Sequence, residues 1–573
     1  MSYQTPTGQA HLDIPELGTA SGFEYASGVR QFCGIPYGRL AKRWTRAAIA
    51  DSWENGKHDG TKLGLTHATV LEDFSSSAPN PPELFHVPNN LTPVPQFPHM
   101  PIPRYQHDDC LVMNITTPPL SSELYPVMVY VHGGAFIYGG ANRSVFDGVN
   151  LVNYSIDRKT PVLSLALNYR VGIWGFLASR DIQDDLARDG FSGAGNFGLT
   201  DQRLAFEWIR KYIRAFGGDP DNVTIVGESA GGTSVAFNMT EVELKSKSDY
   251  CPGQTSGFHR AICMSGGYTT IPVMSMREHE KQYRALLRRL QINPDAPGAL
   301  EALRNTPEAA VTACSIPLQG AIVSTYNPCD DGVLLGPHKD GTDSARPTFE
   351  NMTSPPSWVK SVMFGDVGDE AVIFRLNDTY TYSMITEHMA KFLSQDHIKT
   401  ILDLYGVTPE LPPNELRDRF ELMASDTVFR AENYVKAHRS NVPQTFGYHF
   451  DQPSTLDNPL KGTAYHAIDL LYLFRNLFDR MDDRQKALSD TLAGHFIDFS
   501  YGKDPWERFN VGHKWMVYGP DGHAHLKTEA EDEPVRRYSR TDKILQMGVY
   551  TAFADALDYV SWQRFNTAQE ILN

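Results

Sequence analysis

No run in this sequence reaches the roughly 18 consecutive apolar residues that a bilayer span takes, and residues 1–20 hold no basic stretch leading into an apolar one. The expectation is a soluble protein with no secretory leader and no membrane partner. Cysteine is scarce: six residues, at positions 33, 110, 251, 263, 314 and 329, none paired closely as in a zinc site or a disulfide-dense scaffold. That usage fits a reducing compartment, so the cytoplasm is the expected location. Positive charge is in deficit, with 52 Lys and Arg against 68 Asp and Glu and a net charge of -16, which argues against nucleic acid or an anionic membrane surface as a partner. Internal repeats and low-complexity tracts are missing too, which excludes solenoids and disordered arrays. What remains is a composition of 41% hydrophobic, 11% aromatic and 21% charged residues, ordinary for a folded globular chain. Asn-x-Ser/Thr triplets at Asn90, Asn114, Asn142, Asn153, Asn222, Asn238, Asn351 and Asn377 run against the cytoplasmic expectation, because they carry glycans only in the secretory pathway.

Short apolar runs alternate with longer helical patterns, the arrangement of a mixed or parallel sheet covered by helices. Strands are expected at 127–131, 162–168, 223–227, 261–264 and 361–364. The clearest helix is 199–216, where Ala205, Trp208, Ile209, Tyr212, Ile213 and Phe216 share one face and Glu207, Arg210, Lys211 and Arg214 the other. Gly217-Gly218-Asp219-Pro220 ends it, since glycine can supply the cap and proline cannot continue the helix. The proline-rich stretch 75–104 reads as a long surface excursion that walls a cleft rather than a linker. Segments 278–313 and 396–439 look helical, interrupt the strand series and are assigned to a helical cap on a single domain.

One segment carries a distinct chemistry. Val223-Thr-Ile-Val-Gly227-Glu228-Ser229-Ala230-Gly231 is a β-branched strand running into G-x-S-x-G and then a helical pattern. A serine at such a strand-to-helix turn needs small neighbours two residues away on each side, here Gly227 and Gly231, and the turn exposes its hydroxyl. It also carries the N–H of Ala230 to where an oxyanion forms on an attacked carbonyl. A second glycine-rich element, Val131-His132-Gly133-Gly134-Ala135-Phe136, follows the strand beginning at Val127, and the amides of Gly134 and Ala135 are candidates for the rest of that oxyanion site. A nucleophilic serine needs a base and a carboxylate to orient it. With 19 histidines in the chain, the order nucleophile, acid, histidine leaves several candidates after Ser229.

These two elements, together with Phe32-x-Gly34-Ile-Pro-Tyr-Gly38, Asn168-Tyr-Arg-x-Gly172 and the run from Gly195-Asn-Phe-Gly-Leu-Thr-Asp-Gln202 to Phe216-Gly-Gly-Asp-Pro220, resemble the type B carboxylesterases, the cholinesterase-like branch of the α/β-hydrolases. The likeness covers nearly the whole chain. It implies an α/β-hydrolase fold, with a large central, mostly parallel sheet flanked by helices and helical cap insertions. It further implies that Glu370, in Val367-Gly-Asp-Glu370-Ala371, is the triad acid, and that His466, in Gly462-Thr-Ala-Tyr-His466-Ala-Ile-Asp469, is the base. Glu228 and Ser265 match positions that support the triad. Asp366 and Asp369 stand as alternatives to Glu370, and His449 and His495 as alternatives to His466. The chain departs from the family in two respects. Cys110 resembles one half of an N-terminal disulfide, yet residues 62–74 contain no cysteine to meet it, and alanine replaces glycine at Ala135 and Ala371.

The resemblance implies a serine hydrolase of small-molecule carboxylic esters working through an acyl-enzyme, with no metal or organic cofactor. Acyl transfer or lipase action would use the same residues, and a non-catalytic cholinesterase-like binding protein would be expected to lack one of them. Acyl and alcohol selectivity depends on loops brought together from distant parts of the chain, so it is not legible here, and neither is the oligomeric state.

Overall fold

Short runs of β-branched and aromatic residues assemble into one large sheet in the computed structural model, which describes residues 4–64, 99, 109–240, 257–319, 327–335, 344–345, 355–374, 381–458 and 460–561. In chain order its strands are β1 (Gly8–Ile14), β2 (Gly18–Glu24), β3 (Arg30–Pro36), β4 (Lys57–Asp59), β5 (Val112–Thr117), β6 (Tyr125–Val131) and β7 (Leu163–Leu167). There follow β8 (Gly218–Glu228), β9 (Arg260–Met264), β10 (Ser361–Val367), β11 (Gln444–Phe450), β12 (Lys514–Tyr518) and β13 (Ala524–Thr528). Their spatial order is β1-β2-β3-β5-β7-β6-β8-β9-β10-β11-β12-β13, with β4 paired to β2. Every pairing from β7 through to β12 is parallel, and the flanks are antiparallel apart from the parallel β2–β4 contact.

A parallel sheet must be covered on both faces, and β6 shows how the sequence provides for this. All seven of its residues are buried, Val127, Val129 and Val131 in one core and Met128 and Tyr130 in the other. Helix α1 (Phe197–Tyr212) closes the first face with Leu204, Trp208 and Ile209. On the second face Leu492, Phe496 and Ile497 of the helix Asp483–Ser500 do the same. The segments expected to form a cap are helical. The first holds Met276–Arg289, Ala299–Arg304 and Glu308–Gln319. The second holds Gln395–Tyr405, Pro413–Ser425 and Ala431–Arg439, and its apolar faces form a separate core with the C-terminal helix Tyr550–Ser561.

The expected strands and the helix lie where the apolar periodicity puts them, with one difference. β8 begins at Gly218 rather than at 223: Gly218 pairs with Tyr125, and after a register shift the ladder resumes with Val223 opposite Val127. The shift accommodates Pro220, which has no N–H to give to a ladder. Gly217, at φ 86°, closes the 3-10 turn Ile213–Phe216 just before it. Most of the proline-rich stretch 75–104 lies outside the described residues. Three of the Asn-x-Ser/Thr triplets have their asparagines tied into the fold. Asn114, Asn142 and Asn238 are buried or half-buried, and their amides are committed to Ala141 and Asn142, to Gly64, and to Gln202 and Ser234 respectively.

The tertiary structure gives the remaining motifs a shared purpose. Arg170 and Asp201 are completely buried and joined by two parallel contacts, Nε to Oδ2 at 2.8 Å and Nη2 to Oδ1 at 2.7 Å. Asp201 Oδ2 also accepts the Arg170 backbone N–H, and Arg170 Nη1 donates to the Thr45 carbonyl. Beside them Tyr37 donates to the Asn168 carbonyl, Asn168 Oδ1 accepts the Ala141 N–H, and Tyr169 donates to the His132 carbonyl. The glycine-rich loop after β6 is thereby tied to the sheet through Asn168-Tyr-Arg. Removing one partner of a fully buried pair strands the other charge, so Asp201→Ala is expected to lower unfolding stability by about 3–5 kcal/mol. Urea titration of the two proteins measures it, and a loss below about 1 kcal/mol would mean that water reaches Arg170.

Candidate active site

β8 ends at Glu228 and helix Ala230–Asn238 begins two residues later, so Ser229 alone makes the turn. Its φ of 60° and ψ of -125° lie in a region that side-chain-bearing residues rarely occupy, at a cost of about 1–3 kcal/mol. Glycine pays no such steric toll, and glycine surrounds the turn. A Cβ on Gly227 would fall 2.2 Å from the Gly231 carbonyl oxygen, one on Gly231 2.0 Å from that of Val131, and one on Gly266 2.0 Å from that of Ser229 itself. The Ser229 N–H donates to the Met264 carbonyl at 2.9 Å, which pins the turn to the end of β9.

Over this turn lies the loop after β6. A Cβ on Gly133 would come 2.6 Å from the Glu228 carbonyl oxygen and 3.0 Å from Ser229 Cβ. Gly134, Ala135 and Phe136 then take positive φ angles of 114°, 53° and 58°, a second strained run facing the first. The N–H groups of Gly134, Ala135 and Ala230 find no acceptor among the described residues. His132 stacks on Tyr169 with ring centroids 4.3 Å apart, and burial lowers its pKa to about 4, so it is neutral and serves packing.

His466, 2% exposed, sits between two carboxylates. Its Nδ1 meets Glu370 Oε2 at 2.5 Å, and the other oxygen of Glu370, itself wholly buried, accepts the Val367 N–H at 2.9 Å. Its Nε2 lies 2.9 Å from Glu228 Oε1 but off the line of a hydrogen bond, and the Ser229 hydroxyl makes no hydrogen bond among the described residues. Burial alone would lower the His466 pKa, but Glu228 and Glu370 outweigh it and push it up to about 10. Burial also raises the Glu228 carboxyl above its ordinary range, against the pull of His466.

The other acids and histidines left open by the sequence are engaged elsewhere. Asp366 meets His449 at 2.8 Å and Arg536 at 2.7 Å; burial raises its pKa, yet these partners pull it down to about 2. His449 is held on its far side by Tyr538, and His495 by Tyr518. Asp369 joins the acid loop to the histidine loop, accepting the Ala464 N–H at 2.7 Å and donating its own N–H to the Ala464 carbonyl at 2.8 Å. Ser265 is fully buried at φ 45°, and its N–H donates to the Gly365 carbonyl.

Two residues near the site had no role assigned from sequence. Asp469, fully buried and bonded to the Tyr448 hydroxyl at 2.9 Å, has its carboxyl pushed up to about 7 by burial and by the Glu228 charge. Its spacing of three from His466 was visible, but its burial was not. Phe429, from the second cap segment, packs on the His466 ring with centroids 4.9 Å apart, and nothing local in its sequence announces this. No group of His, Cys, Asp or Glu among the described residues is arranged to hold a metal ion, and no helix among them is long and apolar enough to cross a membrane.

The family model described as the carboxylesterase family matches residues 9–546. Lipase 3 of Yarrowia lipolytica is 25% identical over 93% of this chain and 97% of its own length. The para-nitrobenzyl esterase of Bacillus subtilis is 28% identical over 80% of this chain and 88% of its own. Among solved structures a PNB esterase superposes with a TM-score of 0.68 at 23% identity, covering 92% of this chain and 98% of that one, which shows a shared fold.

The charge arrangement around His466 has a measurable consequence. Its folded pKa lies above the unfolded value of about 6.5, so the proton stabilises the fold fully below that pH, and the contribution is lost as pH rises towards 10. Glu228→Gln removes one of the two carboxylates that raise it, and the His466 imidazole is then expected to titrate at lower pH than in the parent. NMR of 13C-labelled histidine follows this directly; coincident titration curves would mean that Glu228 does not hold the proton.

Proposed function

The chain belongs to the carboxylesterase family and is a serine hydrolase of carboxylic esters; we propose that Ser229, Glu370 and His466 form its catalytic triad, within one domain bearing a helical cap. The observation that carries the assignment is the fully buried Glu370 carboxylate meeting His466 Nδ1 at 2.5 Å, with His466 Nε2 2.9 Å from Glu228, the residue before Ser229 in its strained turn. Neither competing acid reaches that imidazole.

In this reading His466 takes the Ser229 proton as the hydroxyl attacks the ester carbonyl, and Glu370 orients the imidazolium that forms. The unbonded amides of Gly134, Ala135 and Ala230 receive the oxyanion, a contribution of about 3 kcal/mol per donor in comparable sites. His466 then protonates the departing alcohol, and a water activated by the same nitrogen releases the acid. In the free protein Nε2 faces Glu228 rather than Ser229. Glu228 and Glu370 favour the protonated imidazole in the free protein, and His466 acts as the base once it has given up that proton. Catalytic hydrogen bonds often align only in the substrate complex, so the open Ser229–His466 contact is compatible with the mechanism. Glu228 and Ser265 act as supports, one on the base and one beneath the turn.

Relatives named as lipases and as a para-nitrobenzyl esterase support ester substrates of unspecified acyl length. Purified protein is expected to hydrolyse p-nitrophenyl esters, with Ser229→Ala and His466→Gln each slower by at least about a thousandfold. A folded Ser229→Ala variant with parental activity would remove the assignment. Activity confined to long-chain emulsified esters would favour a lipase.

A further inference from the structure

The second cap segment does not run as continuous α-helix. Between Pro413–Ser425 and Ala431–Arg439 lies a π-helical turn, Asp426–Arg430, and such turns are rare and concentrate at functional sites. Three contacts made by the turn and by Ser425, the residue that leads into it, reach the triad or its loop. Ser425 Oγ accepts the N–H of Ala371, the residue after Glu370, at 3.0 Å. Phe429 lies on the His466 ring, 4.9 Å between centroids. Arg430 Nη2 donates to the Gly368 carbonyl, two residues before Glu370. In an α-helix a residue five positions on is rotated about 140° away, so Ser425 and Arg430 would face different directions. Closing the turn through i→i+5 bonds brings 425, 429 and 430 onto one face.

The wide turn is itself braced. Asp426, buried, meets Arg430 at 3.0 Å through one carboxylate oxygen, and Arg540 at 2.5 Å and the Tyr405 hydroxyl at 2.9 Å through the other. Thr427 donates to the Met423 carbonyl at 2.8 Å, and Tyr550 donates to the Thr427 carbonyl. The braces from Tyr405, Arg540 and Tyr550 come from three other helices.

We propose that this turn is a positioning element for catalysis: Ser425, Phe429 and Arg430 hold the Glu370 loop and the His466 ring in register, and Asp426 fixes the turn that presents them. The proposal rests on the triad reading above. None of these side chains touches the reacting atoms; they act through Glu370 and His466. Small displacements of a catalytic group are costly, about a hundredfold for 1 Å, so losing one support should slow turnover without weakening substrate binding.

The test uses the full chain with Ser425→Ala, Ser425→Thr and Phe429→Leu, each checked for folding by circular dichroism and thermal midpoint. Steady-state hydrolysis of a p-nitrophenyl ester is read alongside the downfield proton resonance of His466 Nδ1, identified by its loss in His466→Gln. Ser425→Ala and Phe429→Leu are expected to lower kcat about tenfold with KM within twofold, and to move or broaden that resonance. Ser425→Thr, which keeps the hydroxyl, should restore both. Folded Ser425→Ala and Phe429→Leu with parental kcat and an unmoved resonance would overturn the proposal, as would a lower thermal midpoint alone. If Ser229→Ala is inactive while these variants are fully active, only the positioning role falls; if Ser229→Ala stays active, the triad reading falls and takes this role with it.

Discussion

The left-handed backbone of Ser229 is the constraint around which the rest is arranged. A residue with a side chain at φ 60° and ψ -125° stays there only if its surroundings leave it nowhere else to go. Here they are Gly227, Gly231, Gly266 and Gly133, each so close to neighbouring backbone that a single added methyl would collide. The four glycines come from β8, the following helix, the loop after β9 and the loop after β6. The turn thus brings three adjacent parallel strands to one point and exposes a hydroxyl at their carboxyl ends. The loop after β6, packed against the turn, has its own run of positive φ angles at Gly134, Ala135 and Phe136.

Around this turn the protein buries charge in two contrasting ways. Arg170 and Asp201 are matched one to one, with hydrogen bonds to spare, and the result is a rigid joint that carries the Asn168-Tyr-Arg segment and, through Asn168 and Tyr169, the glycine-rich loop. At His466 the balance is uneven: one imidazole faces Glu370 and Glu228, with Asp469 buried behind them. Carboxylates crowded in a dry interior compete for protons, which raises the Glu228 and Asp469 carboxyls and holds the proton on His466.

The helical segment 396–439 links these parts at longer range. Its helices form an apolar core with the C-terminal helix, Asn433 ties them to β10, and one wide turn reaches the acid loop and the imidazole. Asp369 performs the corresponding task from the other side, bonding both ways to Ala464. The acid and histidine loops are therefore braced by each other and by the cap.

What the chain determined by itself was whatever depends on neighbours in sequence. Short apolar runs located the central strands and helical periodicity located helix Phe197–Tyr212, because both report burial regardless of what covers it. The strand, G-x-S-x-G and helix around Ser229 were legible for the same reason, since the steric demand of that turn is local. Pro220 misled, because the register shift that admits a proline to a strand depends on the partner strand. Tertiary structure alone decided which carboxylate meets which imidazole. Asp366 and Glu370 are four residues apart, and the path of the loop after β10 sends one to Arg536 and His449 and the other to His466. It alone also made a π turn at Asp426–Arg430, whose braces come from Tyr405, Arg540 and Tyr550, residues brought near only when the chain has folded.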